Sequence, residues 1–195
     1  MSEADAEKWN ARYAEPSDSP DESPVPFLVE SVDQLGSGKA LVLAAGRGRN
    51  AVYLAEQGFD VTALDVSKEG LEQCQALAAT RGVHLKTVIA DLDDFDLGSG
   101  DYDLITMFYF HQPALFPSIR QALKDGAHFL FQTFSTKHAE VGTFGPRNPA
   151  FLASRLTTLD AFKNDNIKIC KEVVLQEEED TEAVIQLLVQ TQHPA

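Results

Sequence analysis

The residue types and spacing that could do chemistry concentrate in one stretch, LVLAAGRGRNAVYLAEQGFDVTALDVS. Gly46 and Gly48 lie between two runs rich in apolar residues, where glycine lets the backbone turn sharply and lets a ligand approach main-chain N–H groups. Asp65 ends the next apolar run, where an acidic side chain can accept hydrogen bonds from both ribose hydroxyls of an adenosine-type ligand. The pattern predicts a nucleoside site, and the alternative is a tight turn followed by a solvated aspartate.

Two ligand classes fit this glycine turn. Residues 46–51 satisfy the G-x-G-x-x-G/A pattern of dinucleotide-binding proteins. A nicotinamide enzyme, however, needs a second half-site and a substrate domain, and the rest of this chain completes only one sheet. Arg47, Arg49 and Asn50 are also bulky where a pyrophosphate requires bare backbone. An adenosine ligand without phosphate fits this turn better than a dinucleotide does. A nicotinamide-dependent oxidoreductase is therefore the function that this segment supports least.

Candidate reacting groups follow the fourth apolar run, in the segment MFYFHQP. Tyr109 and His111 could line an acceptor pocket or accept a proton, and they are the candidate catalytic residues. The alternative is that Phe108 and Phe110 are core residues of a strand and that His111 is satisfied by backbone groups.

A later loop containing glycine and proline holds three more polar candidates, His138, Thr143 and Arg147. Loops after strands often form the roof of a binding site. We therefore expect this loop to cover the acceptor pocket. Arg147 could attract an anionic acceptor, although simple solvation of a surface arginine explains it better.

Alternating apolar patterns indicate the elements that position these groups. Strands are predicted over 39–45, 59–65, 84–90, 102–110 and 127–134, with helices over 27–35, 50–58, 68–82 and 115–124. Such alternation is typical of right-handed βαβ units in a mostly parallel sheet. Ser67 is a plausible N-cap and Gly82 a helix stop. Two further β-rich runs, 166–175 and 182–191, predict an edge hairpin with the acidic linker QEEEDTE at its tip.

The first 25 residues differ from the rest in being rich in acidic residues and proline. EADAEKWNARYA predicts a short helix with Trp9 and Tyr13 on one face, and the proline-rich segment after it predicts a loop. We interpret residues 1–25 as an arm or lid on a domain formed by 26–195. We expect residues 1–24 to be disordered or loosely packed without ligand, with Trp9 and Tyr13 covering the site once ligand binds.

Composition limits the function classes. The 195 residues carry 16 Lys plus Arg against 30 Asp plus Glu, a formal net charge of −14. This charge argues against partners that are nucleic acids or anionic membranes. The acidic N-terminus does not resemble a secretory signal, and Cys74 and Cys170 form no metal-ligand pattern. We therefore expect a cytoplasmic protein without a metal site, either a monomer or a homodimer.

The chain resembles class I S-adenosylmethionine-dependent methyltransferases of the tellurite-resistance/thiopurine-methyltransferase-like group. The most specific shared segment is Gly46-Arg47-Gly48-Arg49-Asn50, and a strand ending in Asp65-Val66-Ser67 follows it. Further shared segments are W-x-x-R-Y at Trp9, Arg12 and Tyr13, A-D-L at 90–92, Y-D-L-I at 102–105, H-Q-P at 111–113 and G-T-x-G-P at 142–146. The family's acidic residue on the first strand and its first glycine are replaced by Val42 and Ala44.

The resemblance implies a doubly wound, Rossmann-like α/β fold: a seven-stranded, mostly parallel sheet with an antiparallel C-terminal hairpin. It implies S-adenosylmethionine as cofactor, S-adenosylhomocysteine as product, and a small-molecule methyl acceptor, with a thiol, a metalloid or another soft nucleophile among the candidates. The cofactor-binding residues that it implies are Trp9, Arg12, Tyr13, Ala45, Gly46, Gly48, Arg49, Asn50, Asp65, Val66, Ser67, Asp91, Leu92 and Phe108. The alternative, suggested by Val42 and Ala44, is a nucleoside-binding or interaction protein that kept the fold without catalysis.

Overall fold

The computed structural model describes residues 3–15 and 22–192. Seven α-helices occur in this part of the chain: α1 (Glu3–Ala14), α2 (Pro26–Ser31), α3 (Arg49–Glu56), α4 (Lys68–Arg81), α5 (Phe116–Ala122), α6 (His138–Val141) and α7 (Arg155–Ala161). The strands are β1 (Lys39–Leu43), β2 (Asp60–Asp65), β3 (Lys86–Ile89), β4 (Tyr102–Phe108), β5 (Leu123–Phe134), β6 (Asn166–Glu177) and β7 (Asp180–Gln190). The predicted helical arm is present, and residues 16–21 of the predicted proline-rich loop lie outside the described residues.

The seven strands form one sheet in the order β3-β2-β1-β4-β5-β7-β6. The first five strands are parallel to one another, and β7 pairs antiparallel with both β5 and β6. The predicted fold class is thereby confirmed. The carboxyl ends of β1–β5 and the amino end of β7 lie at the same edge, which is where an open α/β sheet binds its ligands.

Both faces of the central strands are buried, as continuous apolar strands require. On one face, α5 and α7 bring Phe116 and Phe162 against Phe129 and Phe131 of β5. On the other face, helices α2, α3 and α4 pack over β1 and β2. These two cores hold the ligand-facing edge rigid.

Local signals set the ends of α4. The Ser67 hydroxyl accepts a hydrogen bond from the Gly70 N–H at 3.1 Å, and Gly82 closes the helix with a φ of 70°. Both residues act as predicted, because a serine hydroxyl satisfies a free N–H and glycine adopts the left-handed conformation without penalty.

The junction between α5 and β5 differs from the prediction. The helix predicted over 115–124 ends at Ala122, because Leu123 is extended and pairs with Tyr102. Lys124 is therefore a strand residue, bonded through Nζ to the carboxylate of Asp103 at 2.8 Å.

The predicted linker QEEEDTE is mostly strand. The backbone ladder between β6 and β7 continues to the pair of Glu177 and Asp180, which leaves only Glu178 and Glu179 as the turn. Glu178 adopts a φ of 52°, the left-handed conformation that a tight turn requires. The consequence is that Thr181 and Glu182 are held in the sheet rather than in a solvated loop.

Candidate active site

The glycine turn after β1 is tied to the end of β2. The Ala45 N–H donates to the Leu64 carbonyl at 3.0 Å, and the Gly46 N–H donates to Asp65 Oδ2 at 2.8 Å. Gly46 and Gly48 have φ values of 54° and 86°, so each needs the conformational freedom of glycine. The turn and the predicted ribose-binding carboxylate therefore form one unit.

Asp65 is nearly buried, with 6% of its surface exposed. Burial raises the pKa of its carboxyl, and hydrogen bonds from the backbone N–H groups of Ser67, Gly46 and Val66 partly offset that effect. A carboxylate has about four acceptor positions, so three backbone bonds leave it capacity for a ligand hydroxyl. Its position and its acceptor chemistry fit the ribose hydroxyls of an adenosine cofactor.

Helix α1 is docked on this turn. A Cβ built on Gly46 would lie 2.6 Å from the Tyr13 hydroxyl oxygen, and one built on Gly70 would lie 3.0 Å from the Tyr13 ring. The Tyr13 carbonyl also accepts from Gln73 Nε2 at 2.7 Å. Burial, followed by the charge of Asp65, raises the pKa of Tyr13 to about 12. The two glycines thus make room for a protonated tyrosine over the turn.

Asn10 fixes the same helix by a second contact. Its Oδ1 accepts from the Ser67 hydroxyl at 2.7 Å and from the Glu69 N–H at 3.2 Å, at the beginning of α4. Trp9 stacks on Tyr13 with 5.8 Å between ring centroids, and the Arg12 guanidinium carbon lies 5.3 Å from the Trp9 centroid. The expectation of a loosely packed arm is therefore wrong for Glu3–Ala14, because these polar anchors hold the helix.

Five further predicted cofactor residues lie around this edge of the sheet or in the core beneath it. Three of them lie at the ligand-facing edge: Arg49 begins α3, Asp91 follows β3, and Phe108 ends β4. Val66 and Leu92 are buried.

The Asn50 and Ser67 side chains already have partners inside the fold. Asn50 Oδ1 accepts from the Val25 N–H at 2.9 Å, which anchors the chain before α2, and the Ser67 hydroxyl caps α4. A cofactor contact by either residue stays a prediction.

Tyr109 directly follows β4 with a φ of 55°, a strained conformation for a bulky residue. Its hydroxyl donates to Glu182 Oε1 at 2.8 Å and accepts from Gln132 Nε2 at 3.0 Å. Burial and the neighbouring Glu182 carboxylate raise the pKa of the phenol far above its ordinary value. Tyr109 therefore remains protonated, which argues against the predicted role as proton acceptor and favours one in positioning.

Glu182 is a candidate site residue that sequence reasoning missed, because it lies where the predicted acidic linker meets the run 182–191 and no local pattern distinguishes it from the other acidic residues there. It lies at the amino end of β7, next to Ala183 and on the ligand-facing edge of the sheet. Burial raises the pKa of its carboxyl, although the Tyr109 hydrogen bond lowers it in part. The signal that could have found the pair is the placement of Gln132 and Gln186 inside otherwise apolar strands.

His111 lies beyond β4, with its ring centroid 6.5 Å from that of Phe131. Its Nδ1 is buried and has no hydrogen-bond partner within the described residues. Burial lowers the pKa of the imidazole, which keeps it neutral at neutral pH. His111 thus remains a candidate for contact with an acceptor.

The loop after β5 folds onto the beginning of β7. His138 Nδ1 accepts from the Ala183 N–H at 3.2 Å, and its Nε2 lies 2.6 Å from the Phe144 carbonyl oxygen, to which it can donate. Thr143 Oγ1 accepts from the Thr181 N–H at 2.9 Å. Arg147 donates to the carbonyls of Ala139 and Gly142. Arg147 therefore closes the loop on itself.

No helix among the described residues is long and apolar enough to cross a membrane. The described residues also contain no group of three or more His, Cys, Asp or Glu side chains placed to hold a metal ion.

The sheet order, the glycine turn and the carboxylate after β2 define a class I methyltransferase fold. Residues 40–127 match the family model described as a methyltransferase domain. This match and the structural likenesses below confirm the predicted resemblance to class I, S-adenosylmethionine-dependent methyltransferases.

A ubiquinone biosynthesis O-methyltransferase of Vibrio parahaemolyticus is 30% identical over 115 residues, which cover 56% of this chain and 49% of that protein. The chain thus spans about half the length of the curated relatives it matches first. Among solved structures, TehB from Haemophilus influenzae has a TM-score of 0.70 at 15% identity, covering 96% of this chain and 67% of TehB. An S-adenosylmethionine-dependent methyltransferase from Mesorhizobium loti has a TM-score of 0.67 at 20% identity, covering 85% and 96%.

Proposed function

We propose that this protein transfers a methyl group from S-adenosylmethionine to a small-molecule acceptor. The observation that carries the proposal is the convergence at one sheet edge of the Gly46 turn, the Asp65 carboxylate and the polar pair Tyr109–Glu182. The sequence relative named as an O-methyltransferase supports the reaction type, and the net charge of −14 disfavours a nucleic-acid acceptor.

The cofactor would lie across the carboxyl ends of β1 to β4. Gly46 and Gly48 border the place for its methionine part, Asp65 accepts from its ribose, and Asp91 with Leu92 flanks its adenine. Helix α1, within the arm of residues 1–25, covers the same place through Tyr13. The cofactor supplies an already activated methyl group, so residues 26–195 mainly orient the reactants and exclude water.

The nature of the acceptor atom is the finer part of the proposal. A relative named as an O-methyltransferase favours a hydroxyl acceptor. The structural likeness to TehB is at 15% identity and carries only the fold, so a thiol or metalloid acceptor rests on the motif resemblance alone.

Isothermal titration calorimetry with S-adenosylmethionine, S-adenosylhomocysteine and NAD tests the cofactor assignment. We expect both sulfur compounds to bind and NAD not to bind. The proposal is wrong if neither sulfur compound binds at millimolar concentration, or if only NAD binds.

A non-catalytic nucleoside-binding protein is the second candidate. It is favoured by Val42, a buried apolar residue where the family has an acid. Release of S-adenosylhomocysteine with any small-molecule acceptor would exclude it.

A further inference from the structure

A chain of hydrogen bonds runs through the sheet interior and ends on Glu182. Gln186 Nε2 donates to Gln132 Oε1 at 2.8 Å, Gln132 Nε2 donates to the Tyr109 hydroxyl at 3.0 Å, and that hydroxyl donates to Glu182 Oε1 at 2.8 Å. In each of these three hydrogen bonds the donor is directed toward the Glu182 carboxylate. Such a network polarises each bond in turn and fixes the orientation of its last member.

This hydrogen-bond network lies in the core rather than on the surface. Gln132 and Gln186 are 1% and 5% exposed, and they face each other across the β5–β7 ladder. Burying two amides in apolar strands is costly unless they are hydrogen-bonded. The strained φ of 55° at Tyr109 turns the phenol toward this ladder. The buried amides of Gln132 and Gln186 and the strained backbone at Tyr109 therefore all fix the position of the Tyr109 hydroxyl, which holds the Glu182 carboxylate.

Glu182 itself is only half buried, and it lies at the ligand-facing edge. Its Oε1 accepts from Tyr109, whereas Oε2 accepts no hydrogen bond from the described part of the chain. The charged or titratable groups that face it are Tyr109 at the end of β4, Arg49 of α3, His138 of α6 and Glu177 of β6. A fixed carboxylate with an open oxygen binds a ligand that brings a hydrogen-bond donor.

We propose that Glu182 is the proton acceptor for the methyl acceptor, that Tyr109 positions it, and that the acceptor is a neutral hydroxyl or amine compound. This inference rests on the proposed methyltransferase function and specifies its substrate class. As the acceptor's oxygen or nitrogen bonds to the methyl carbon, the carbon–sulfur bond breaks and its electron pair stays on sulfur. The acceptor's proton passes to Glu182 Oε2 and then to water, which balances the reaction.

The test begins with wild-type protein shown by calorimetry to bind S-adenosylmethionine. Release of S-adenosylhomocysteine is measured with catechol and phenol as hydroxyl probes, aniline as an amine probe, dimethyl sulfide as a probe without a transferable proton, and thiophenol as an ionised thiol. We expect release with at least one hydroxyl or amine probe. Release with none of these three overturns the inference, as does release confined to dimethyl sulfide or thiophenol. Absence of cofactor binding would instead overturn the proposed function.

Substitutions then test the roles on the accepted probe. Glu182→Gln keeps an oxygen that can accept from Tyr109, so a structural role would survive it. We expect its kcat to fall by about 100-fold or more, the usual contribution of a general base, with KM and affinity for S-adenosylhomocysteine little changed. The matched control is Glu179→Gln, the same change at an exposed residue of the β6–β7 turn. Equal kcat values for Glu182→Gln and this control would overturn the inference.

The pH profile separates the two roles. Wild-type kcat should decrease on the acidic side as Glu182 is protonated, and Glu182→Gln should lack that decrease. Tyr109→Phe removes a hydrogen bond that stabilises the ionised carboxylate, so the acidic limb should move to higher pH. An acidic limb that stays in place in both variants would contradict the assignment.

Discussion

The Gly46 N–H donates to Asp65 Oδ2 at 2.8 Å, so the turn after the first strand and the carboxylate after the second are parts of one hydrogen-bonded structure. The same carboxylate accepts from the Ser67 N–H at 2.8 Å through Oδ1. Asp65 therefore holds the turn in shape, and we propose that its remaining acceptor capacity serves a ligand.

Replacing Asp65 with alanine should weaken cofactor binding by about 1.5–3 kcal/mol, the range for hydrogen bonds to a charged group. Stability should also fall, because the Gly46 and Ser67 N–H groups lose a buried acceptor. Calorimetric titration with S-adenosylhomocysteine measures the affinity, and thermal denaturation measures the stability. The control is Asp60→Ala, at the exposed beginning of β2. Unchanged affinity in a folded Asp65→Ala protein would place the ribose elsewhere.

Ala44→Gly should stabilise the protein. Ala44 has a φ of 52°, and a side chain in the left-handed conformation costs about 1–2 kcal/mol. Because glycine also has more conformational freedom when unfolded, we expect a net gain of about 0.5–1 kcal/mol in the free energy of unfolding. Urea denaturation measures it.

The matched control for Ala44→Gly is Ala79→Gly, an exposed position within α4. There the same substitution should destabilise by up to about 1 kcal/mol, because glycine in a helix costs more backbone entropy than alanine. A loss of stability in Ala44→Gly comparable to that of the control would contradict the assignment of strain to Ala44.

Removing residues 1–24 should leave the sheet folded and reduce cofactor affinity at least about tenfold, ~1.4 kcal/mol. The reason is that Tyr13, which lies over Gly46 and Gly70, is lost with α1. Calorimetry on the truncated protein measures the affinity, and circular dichroism checks the fold.

Trp9 is the only tryptophan of the chain, so its fluorescence reports on α1 alone. We expect its emission to shift on saturation with S-adenosylhomocysteine, since the ring stacks on Tyr13. A spectrum that does not change in protein shown to bind the ligand would exclude movement of α1 over the site.

The ion pair between Lys124 and Asp103 should make a pH-dependent contribution to stability. Partial burial acts to raise the pKa of Asp103, but hydrogen bonds from Lys124 and from the Lys39 N–H outweigh it and lower the pKa below its ordinary value of 3.8. A lowered pKa means that the stabilisation is complete above the unfolded value and is lost as pH falls through the folded one.

Lys124→Met should therefore cost at most about 1 kcal/mol near neutral pH, since the pair is partly exposed. Its difference from wild type should shrink as the pH falls below 3.8. Urea denaturation at a series of pH values measures both effects. Lys163→Met, which breaks the exposed pair with Asp160, is the control and should have no measurable effect. A Lys124→Met deficit that stays constant as Asp103 becomes protonated would contradict this account.

Much of the fold could be predicted because local patterns and tertiary packing agree. The apolar runs that become β1, β2, β4 and β5 are buried on both faces, and Ser67 and Gly82 mark the ends of α4 by chemistry that acts within a few residues. Helices α6 and α7 were not predicted. They have four and seven residues, too short for a clear apolar period, and tertiary contacts stabilise them.

The sequence by itself determined the βαβ order, the glycine turn and the acidic residue after β2. These features depend on residues close together in the chain, and the physical rules for them are local. Only the tertiary structure decided how β7 enters the sheet between β5 and β6, and this placement brings Glu182 to Tyr109 across 73 residues. The packing of α1 over Gly46 is likewise tertiary. Sequence patterns could not reveal either contact, because each depends on hydrogen bonds between distant segments that form only once both cores are packed.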